Sequence, residues 1–281
     1  MTAPEPGKFT APPGMVALTT HGSVRAETYT CMGEMRSQSE KAGLNAVQYL
    51  TVPGSLVDKA RNDAVRTMLK SQCGWLLFCD ADMTFQPDAL HAMLATAYAS
   101  HPQADILGGY CNLRGEMALP TIDSGTGMWE SWFPGSGVVE VIRTGAAFLL
   151  IKRHVLEGLT EPWFRLRVPA RPIEFMAEVD NFARMKGDGV NHLRNTPDGW
   201  WEKLEKCAAE DPSIAQEMFV RNEVGEDSGF CDRAKNAGYR IFVNTDIVTG
   251  HVDTEIRDWK SHKKAIEGNE RTNLHCVGVE A

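Results

Sequence analysis

Apolar residues fall along this chain in two alternating rhythms. Met15 to Thr20 (MVALTT) is a short β-branched run after a Pro-Gly break, and it predicts a buried first strand. A polar stretch, His21 to Thr30, leads into a predicted helix ending near Lys41, and Asn45 to Val52 reads as a second strand closed by Pro53-Gly54. With Ser55 as cap, Leu56, Val57, Ala60, Ala64, Val65, Met68 and Leu69 then recur at spacings of three and four, the period of a helix with one buried face. Gly74 to Cys79 (GWLLFC) is almost continuously apolar, as expected of a central strand covered on both faces. Pro87 opens a helix with Leu90, Met93, Leu94, Ala97 and Tyr98 on one side, and Asp105 to Tyr110 supplies another strand. Strand and helix in alternation predict an α/β fold with a mostly parallel central sheet flanked by helices.

The second half is less regular. Asn112 to Pro134 is rich in Gly, Ser, Thr and Pro and too long for a simple connection, so it is a candidate lid or acceptor loop. Strand character resumes at Val138 to Ile142 and Ala146 to Ile151, on either side of Thr144-Gly145. A mixed stretch, about 160–222, carries Trp163, Trp200 and Trp201 and reads as an insertion on the acceptor side. Gly225-Glu226-Asp227 opens a helix with Phe230, Cys231 and Ala234 facing inward, ending at Gly238; Arg240 to Val243 follows as a strand, and Gly250-His251 lies after it. The expected organisation is a flexible tail at 1–14, one domain at 15–253 with the insertion inside it, and a charged helix and tail at 254–281.

Composition narrows the picture modestly. The chain has 281 residues, of which 43% are hydrophobic and 23% charged, which suits one α/β core with an insertion. No apolar run is long enough to span a membrane or to serve as a signal peptide, so a cytoplasmic location is expected. The seven cysteines are an odd number without a C-x-x-C pair, which favours reduced thiols over a disulfide framework or a zinc site. A net charge of −8 provides no global attraction to phosphate backbones.

Chemistry concentrates at a few positions. Asp80-Ala81-Asp82 directly follows the most hydrophobic strand, where ligands of open α/β sheets bind. Two carboxylates separated by one residue can grip a hard divalent cation and leave positions open for diphosphate oxygens; the same triplet also serves as a turn or helix cap. Helical geometry places Arg61 inside the buried stripe, where a guanidinium needs an anion: either a diphosphate, with Asn62 beside it, or a structural carboxylate. Thr19 and Thr20 end the first strand, facing a nucleoside or making a turn. Glu226 and Asp227 complement a helix dipole, or one of them accepts the proton of an attacking hydroxyl. His251 is a candidate imidazole ligand.

Leu56 to Asn62 (LVDKARN), Leu77 to Phe85 (LFCDADMTF), Thr144 to Ile151 (TGAAFLLI), Gly225 to Phe230 (GEDSGF) and Gly250-His251, in this order, resemble small GT-A glycosyltransferases, family 2-like, particularly those of bacteriophages. The resemblance covers roughly residues 15 to 252. It implies a GT-A fold and transfer of a sugar from a nucleotide diphosphate sugar, UDP-sugar favoured, to a hydroxyl. It further implies that Asp80 and Asp82 hold manganese or magnesium with the nucleotide diphosphate, that His251 is the third metal ligand, and that Asp227, with Glu226 beside it, is the catalytic base; the donor-nucleotide contacts expected from the placement of the residues themselves are Thr19, Thr20, Arg61, Asn62, Asp80 and Ala81. Thr144 and Gly145 would lie beside sugar and acceptor. For a phage protein acting in the host cytoplasm, the acceptor suggested is a hydroxymethylated pyrimidine in DNA, with Trp200 and Trp201 stacking the base. A protein or cell-surface glycan acceptor is the rival. A nucleotidyltransferase is disfavoured because no glycine-rich phosphate loop with a lysine lies near the first strand, and a non-catalytic binding protein because the acids and His251 occur together.

Overall fold

The computed structural model of the chain describes residues 9–20, 22–54, 56–113, 118–126, 129–165, 225–252 and 256–257. The chain divides into one unit formed by Met1–Arg165 with Glu226–Ala281 and another formed by Leu166–Gly225. The first unit carries the sheet and the helices that flank it. Its expected strand and helix alternation is present: β1 (Gly14–Thr20), α1 (Ala26–Lys41), β2 (Val47–Pro53), α2 (Val57–Leu69), β3 (Trp75–Asp80), β4 (Met83–Phe85), α3 (Ala89–Ala95) running into a π-type turn (Thr96–Ser100), and β5 (Ile106–Tyr110). Then come β6 (Ile122–Asp123), β7 (Val138–Val141), β8 (Arg143–Thr144), β9 (Phe148–Lys152), α4 (Arg153–Gly158), α5 (Glu226–Asn236), β10 (Ile241–Val252) and β11 (Ile256–Arg257).

The fold is α/β, a mixed and mostly parallel sheet between helices. Its strand order is β2-β1-β3-β9-β5-β10-β11, with β4 and β7 also pairing to β10. β1 is parallel to both β2 and β3, and β5 is parallel to β10. β9 runs antiparallel to β3 and β5 and separates them. Side chains alternate across β3: Leu76 and Phe78 join α2 and α5 in one core with Ala60, Val65, Phe230 and Ala234, while Trp75, Leu77 and Cys79 join α1 and α3 in the other with Met35, Leu90 and Met93. Continuing that alternation sends Asp80 toward α2 and α5.

Several boundaries differ from the expected ones. α1 begins at Ala26, inside the stretch read as polar connection; it buries only Thr28, Met35 and Ser39, so it has almost no apolar period to read. α2 is capped by Leu56 without a side-chain hydrogen bond, Leu56 itself is 62% exposed, and Ser55 lies outside the described residues. Gly250-His251 belongs to β10 instead of following a strand. A register shift between Asn244 and Val248 lets β10 continue, pairing first with β5 and β7 and then with β4. α5 ends at Asn236, and the turn after it closes at Gly238, the expected stop, whose φ of +89° is a left-handed conformation that a side chain would strain. Of the tail expected at 1–14, residues 1–8 lie outside the described residues, while Gly14 belongs to β1 and the carbonyls of Pro12 and Pro13 accept from Trp75 Nε1 and Gly74 N–H; of the insertion expected at about 160–222 and the charged segment expected at 254–281, only 160–165 and 256–257 are described.

Candidate active site

β1 and β3 end side by side in parallel register, Thr19 opposite Asp80. The Thr19 hydroxyl donates to Asp80 Oδ1 at 2.6 Å. The backbone turns sharply here and is pinned on three sides: Asp80 N–H donates to Ala147 O at 2.9 Å, Ala81 N–H to Thr19 O at 3.0 Å, and Arg25 N–H to Ala81 O at 2.9 Å. The Asp80-Ala81-Asp82 triplet therefore sits on a rigid ledge at the carboxyl end of the parallel strands. Thr20 is spent on its own turn, donating to Ser23 O at 2.6 Å and accepting from Gly22 N–H at 3.1 Å.

Arg61 rises to this ledge from the buried face of α2. It is 3% exposed, and its Nη2 spans both Asp80 oxygens at 3.2 and 3.1 Å. Its Nη1 donates to Glu226 at the start of α5. Burial lowers the guanidinium pKa, but the charges of Asp80, Glu226 and Asp227 outweigh it and raise the pKa overall, so Arg61 stays ionised. Burial also raises the Glu226 pKa; Arg61 pulls it back, Asp227 and Asp80 push it up, and the net direction is upward. Asn62 points elsewhere: it donates to Asp58 O at 2.8 Å and Phe164 O at 2.6 Å and accepts from Phe164 N–H at 3.0 Å. That clamp holds the Phe164 ring 5.8 Å from the Arg61 guanidinium and stacked on Phe230 at 4.5 Å. Sequence patterns do not single out Phe164, because nothing local to it signals an arginine so distant along the chain.

Asp82 lies in the turn just before β4, which pairs antiparallel with β10; His251 stands opposite Met83, and Val252 N–H donates to Asp82 O at 2.7 Å. His251 is 8% exposed, and its Nδ1 lies 2.6 Å from the carbonyl of Asn112. A carbonyl can only accept, so Nδ1 donates to it, which leaves Nε2 as the nitrogen through which a metal would be held. Among the described residues no three His, Cys, Asp or Glu side chains converge as a preformed metal site. One carboxylate and one imidazole nonetheless suit a manganese or magnesium ion that takes its remaining oxygens from a diphosphate and water. Asp80, the third expected ligand, has its carboxylate engaged by Arg61 and Thr19.

Asp227 is half-buried, accepts from Ser228 N–H at 2.7 Å and forms no ion pair among the described residues. Thr144 and Gly145 are buried; a Cβ at Gly145 would meet the Thr121 hydroxyl at 3.1 Å, so this segment packs directly under the Asn112 to Pro134 loop. That loop is organised by Glu130, which accepts from Ser124, Thr126 and the Trp132 indole. Arg143 ties β8 to α5 through a bidentate pair with Asp232 at 2.7 and 3.2 Å. Trp200 and Trp201 lie outside the described residues. Among the described residues no helix is long and apolar enough to cross a membrane.

A scan of the sequence against protein-family models finds no match, and a search of curated proteins finds none either. Solved structures do resemble it. A197 from STIV superposes with a TM-score of 0.51 at 15% identity, over 95% of this chain and 98% of that one. The chain shares the fold of A197. GalNAc-T7 with UDP, GalNAc and Mn2+ gives a TM-score of 0.43 at 8% identity, covering 91% of this chain and 48% of that one. S. aureus TarS 1-349 in complex with UDP gives 0.32 at 13% identity, covering 51% of this chain and 48% of that one. The latter two likenesses are too distant to bear on the chemistry of this chain.

Proposed function

We propose that this chain is a metal-dependent glycosyltransferase of GT-A type that moves a sugar from a nucleotide diphosphate sugar, UDP-sugar favoured, to a hydroxyl acceptor. The observation that carries the reading is the juxtaposition at the end of β3. Asp80 is locked by Thr19 and Arg61, and two residues on, Asp82 ends the turn that leads into β4, the strand paired with His251, whose Nδ1 is taken up by the Asn112 carbonyl. Asp82 and His251 would hold manganese or magnesium. A divalent ion bound there supplies charge that offsets the negative charge developing on the leaving diphosphate.

The chain's own residues do the rest. Arg61 and Thr19 fix the Asp80 carboxylate, so the donor meets a preorganised wall with little left to reorder. The acceptor oxygen bonds to the anomeric carbon as the bond from that carbon to the diphosphate oxygen breaks, and the hydroxyl proton passes to the Asp227 carboxylate. Direct displacement of this kind inverts the anomeric centre. Product NMR checks it: a retained configuration removes Asp227 from the role.

For the acceptor, a hydroxymethylated pyrimidine in DNA fits the phage-like motifs, whereas the net charge of −8 favours a protein or glycan. A gel shift at low salt with modified and unmodified DNA decides between them, and no binding sinks the DNA acceptor. The donor site is tested by calorimetric titration of UDP and GDP, with and without manganese, into wild type and Asp82→Asn. Manganese-dependent binding that weakens in the variant is expected; a folded wild type that binds neither nucleotide overturns the donor site. Release of pyrophosphate instead of nucleoside diphosphate would move the chain to the nucleotidyltransferases.

A further inference from the structure

The two acids that open α5 stand in different surroundings. Asp227 has no ion-pair partner among the described residues, whereas Glu226, its side chain 13% exposed, accepts from Arg61 Nη1. Arg61 depends on that contact. Its side chain is 4% exposed, its Nε is buried without a hydrogen-bond partner among the described residues, and the Phe164 ring lies 5.8 Å from the guanidinium. A guanidinium is planar and its N–H directions are fixed relative to one another, so the direction Nη1 takes toward Glu226 also fixes the direction from which Nη2 meets Asp80. Asp80 Oδ1 closes the chain by accepting from both Arg61 and Thr19.

Resting on the donor-site reading, we propose that Glu226 is a positioning residue: by holding Arg61 it sets the orientation of the Asp80 carboxylate and the charge left on it. Two carboxylates share one guanidinium, so the group keeps one net negative charge at the end of β3, two residues before Asp82. With a neutral side chain at 226, Arg61 compensates Asp80 in full and the attraction for a divalent cation falls. Glu226 thus acts on the donor site through Arg61 and is not itself in contact with the reacting atoms.

The experiment titrates manganese with UDP into the full chain, comparing wild type with E226Q, E226D and E157Q, and pairs it with urea unfolding of D80N, E226Q and the double variant. E226Q keeps the shape and removes the charge, so its UDP affinity in manganese is expected to fall about tenfold, one charge interaction at this range being of that order. E226D, which keeps the charge, restores most of that loss, and E157Q stays within about twofold of wild type, its exposed carboxylate pairing with Arg153 at the opposite end of β3. Equal losses in E226Q and E157Q, or none in E226Q, overturn the proposal. In urea, D80N with E226Q is expected to lose more than the two single losses together, because the buried guanidinium is then left without an anion. Additive losses overturn the proposal as well. The unfolding arm uses no nucleotide, so a wild type that binds no UDP defeats the donor-site reading while the cycle still decides whether Glu226 and Asp80 act through Arg61.

Discussion

Arg61 Nη2 lies 3.2 Å from Asp80 Oδ1, the same oxygen that accepts the Thr19 hydroxyl at 2.6 Å. One carboxylate oxygen thereby joins β1, β3 and α2, and the guanidinium carries the link on to α5. Arg61→Met removes the cation and leaves Asp80 and Glu226 facing each other in a largely buried space. A loss of about 3–5 kcal/mol is expected, the usual cost of breaking a buried pair from one side. Urea unfolding followed by circular dichroism measures it. Arg61→Lys, which keeps the charge but not the fork, should fall between wild type and Arg61→Met.

His251 is held by the Asn112 carbonyl at 2.6 Å. His251→Ala removes the imidazole and leaves the neighbouring strand pairing in place, so the fold should survive. Manganese-dependent UDP binding is expected to weaken by at least about tenfold, the scale on which changes at a metal shell act. Calorimetry in manganese and in chelator reads it; equal binding in both media, before and after the substitution, would place the cation elsewhere.

Glu130 makes the Asn112 to Pro134 loop pH-sensitive. Burial pushes its carboxyl pKa up, but donors from Ser124, Trp132 and Thr126 outweigh burial, and the net shift is below the ordinary 4.5. The folded pKa is the depressed one, so the carboxylate's contribution is fully present above the unfolded value near 4.5 and is lost as pH falls through the folded value. Glu130→Gln is expected to cost about 2 kcal/mol at pH 7, the scale of hydrogen bonds to a charged group, and less as the pH drops below about 4. Unfolding midpoints across pH 3 to 7, at the ~1 kcal/mol resolution such series give, test it.

Gly14 and Trp75 face each other across β1 and β3, and a Cβ at Gly14 would stand 1.8 Å from Trp75 Cε2. The indole cannot retreat: it is fully buried and donates to Pro12 O at 2.9 Å. Gly14→Ala should therefore destabilise by about 2–3 kcal/mol, at the upper end of overpacking costs. A thermal melt with no downward shift would mean that the strand pair has slack the structure does not show.

Much of the frame is readable from the residues. β3 announces itself because five successive buried positions must be apolar when both faces are covered, and α2 because its buried stripe repeats with the helical period. Arg61 can be placed in that stripe by counting alone, and with it the need for an anion. The start of α1 is hidden because most of that helix faces water, and the end of β10 does not read as strand because Asn244, Thr245 and Asp246 interrupt the apolar pattern at the register shift.

The sequence by itself therefore determined the elements whose burial writes a period into the chain, the acids after β3, and the demand of a buried guanidinium for negative charge. Only the tertiary structure decided which acids answer that demand. Asp80 and Glu226 reach Arg61 because β3 and α5 pack on the same face of α2, and the Phe164 ring lies over it because Asn62 clamps Phe164. Likewise the proton on His251 Nδ1 is directed by a carbonyl on a distant segment. Contacts between residues far apart in the chain depend on strand order and on how the helices pack, and local residue patterns carry neither.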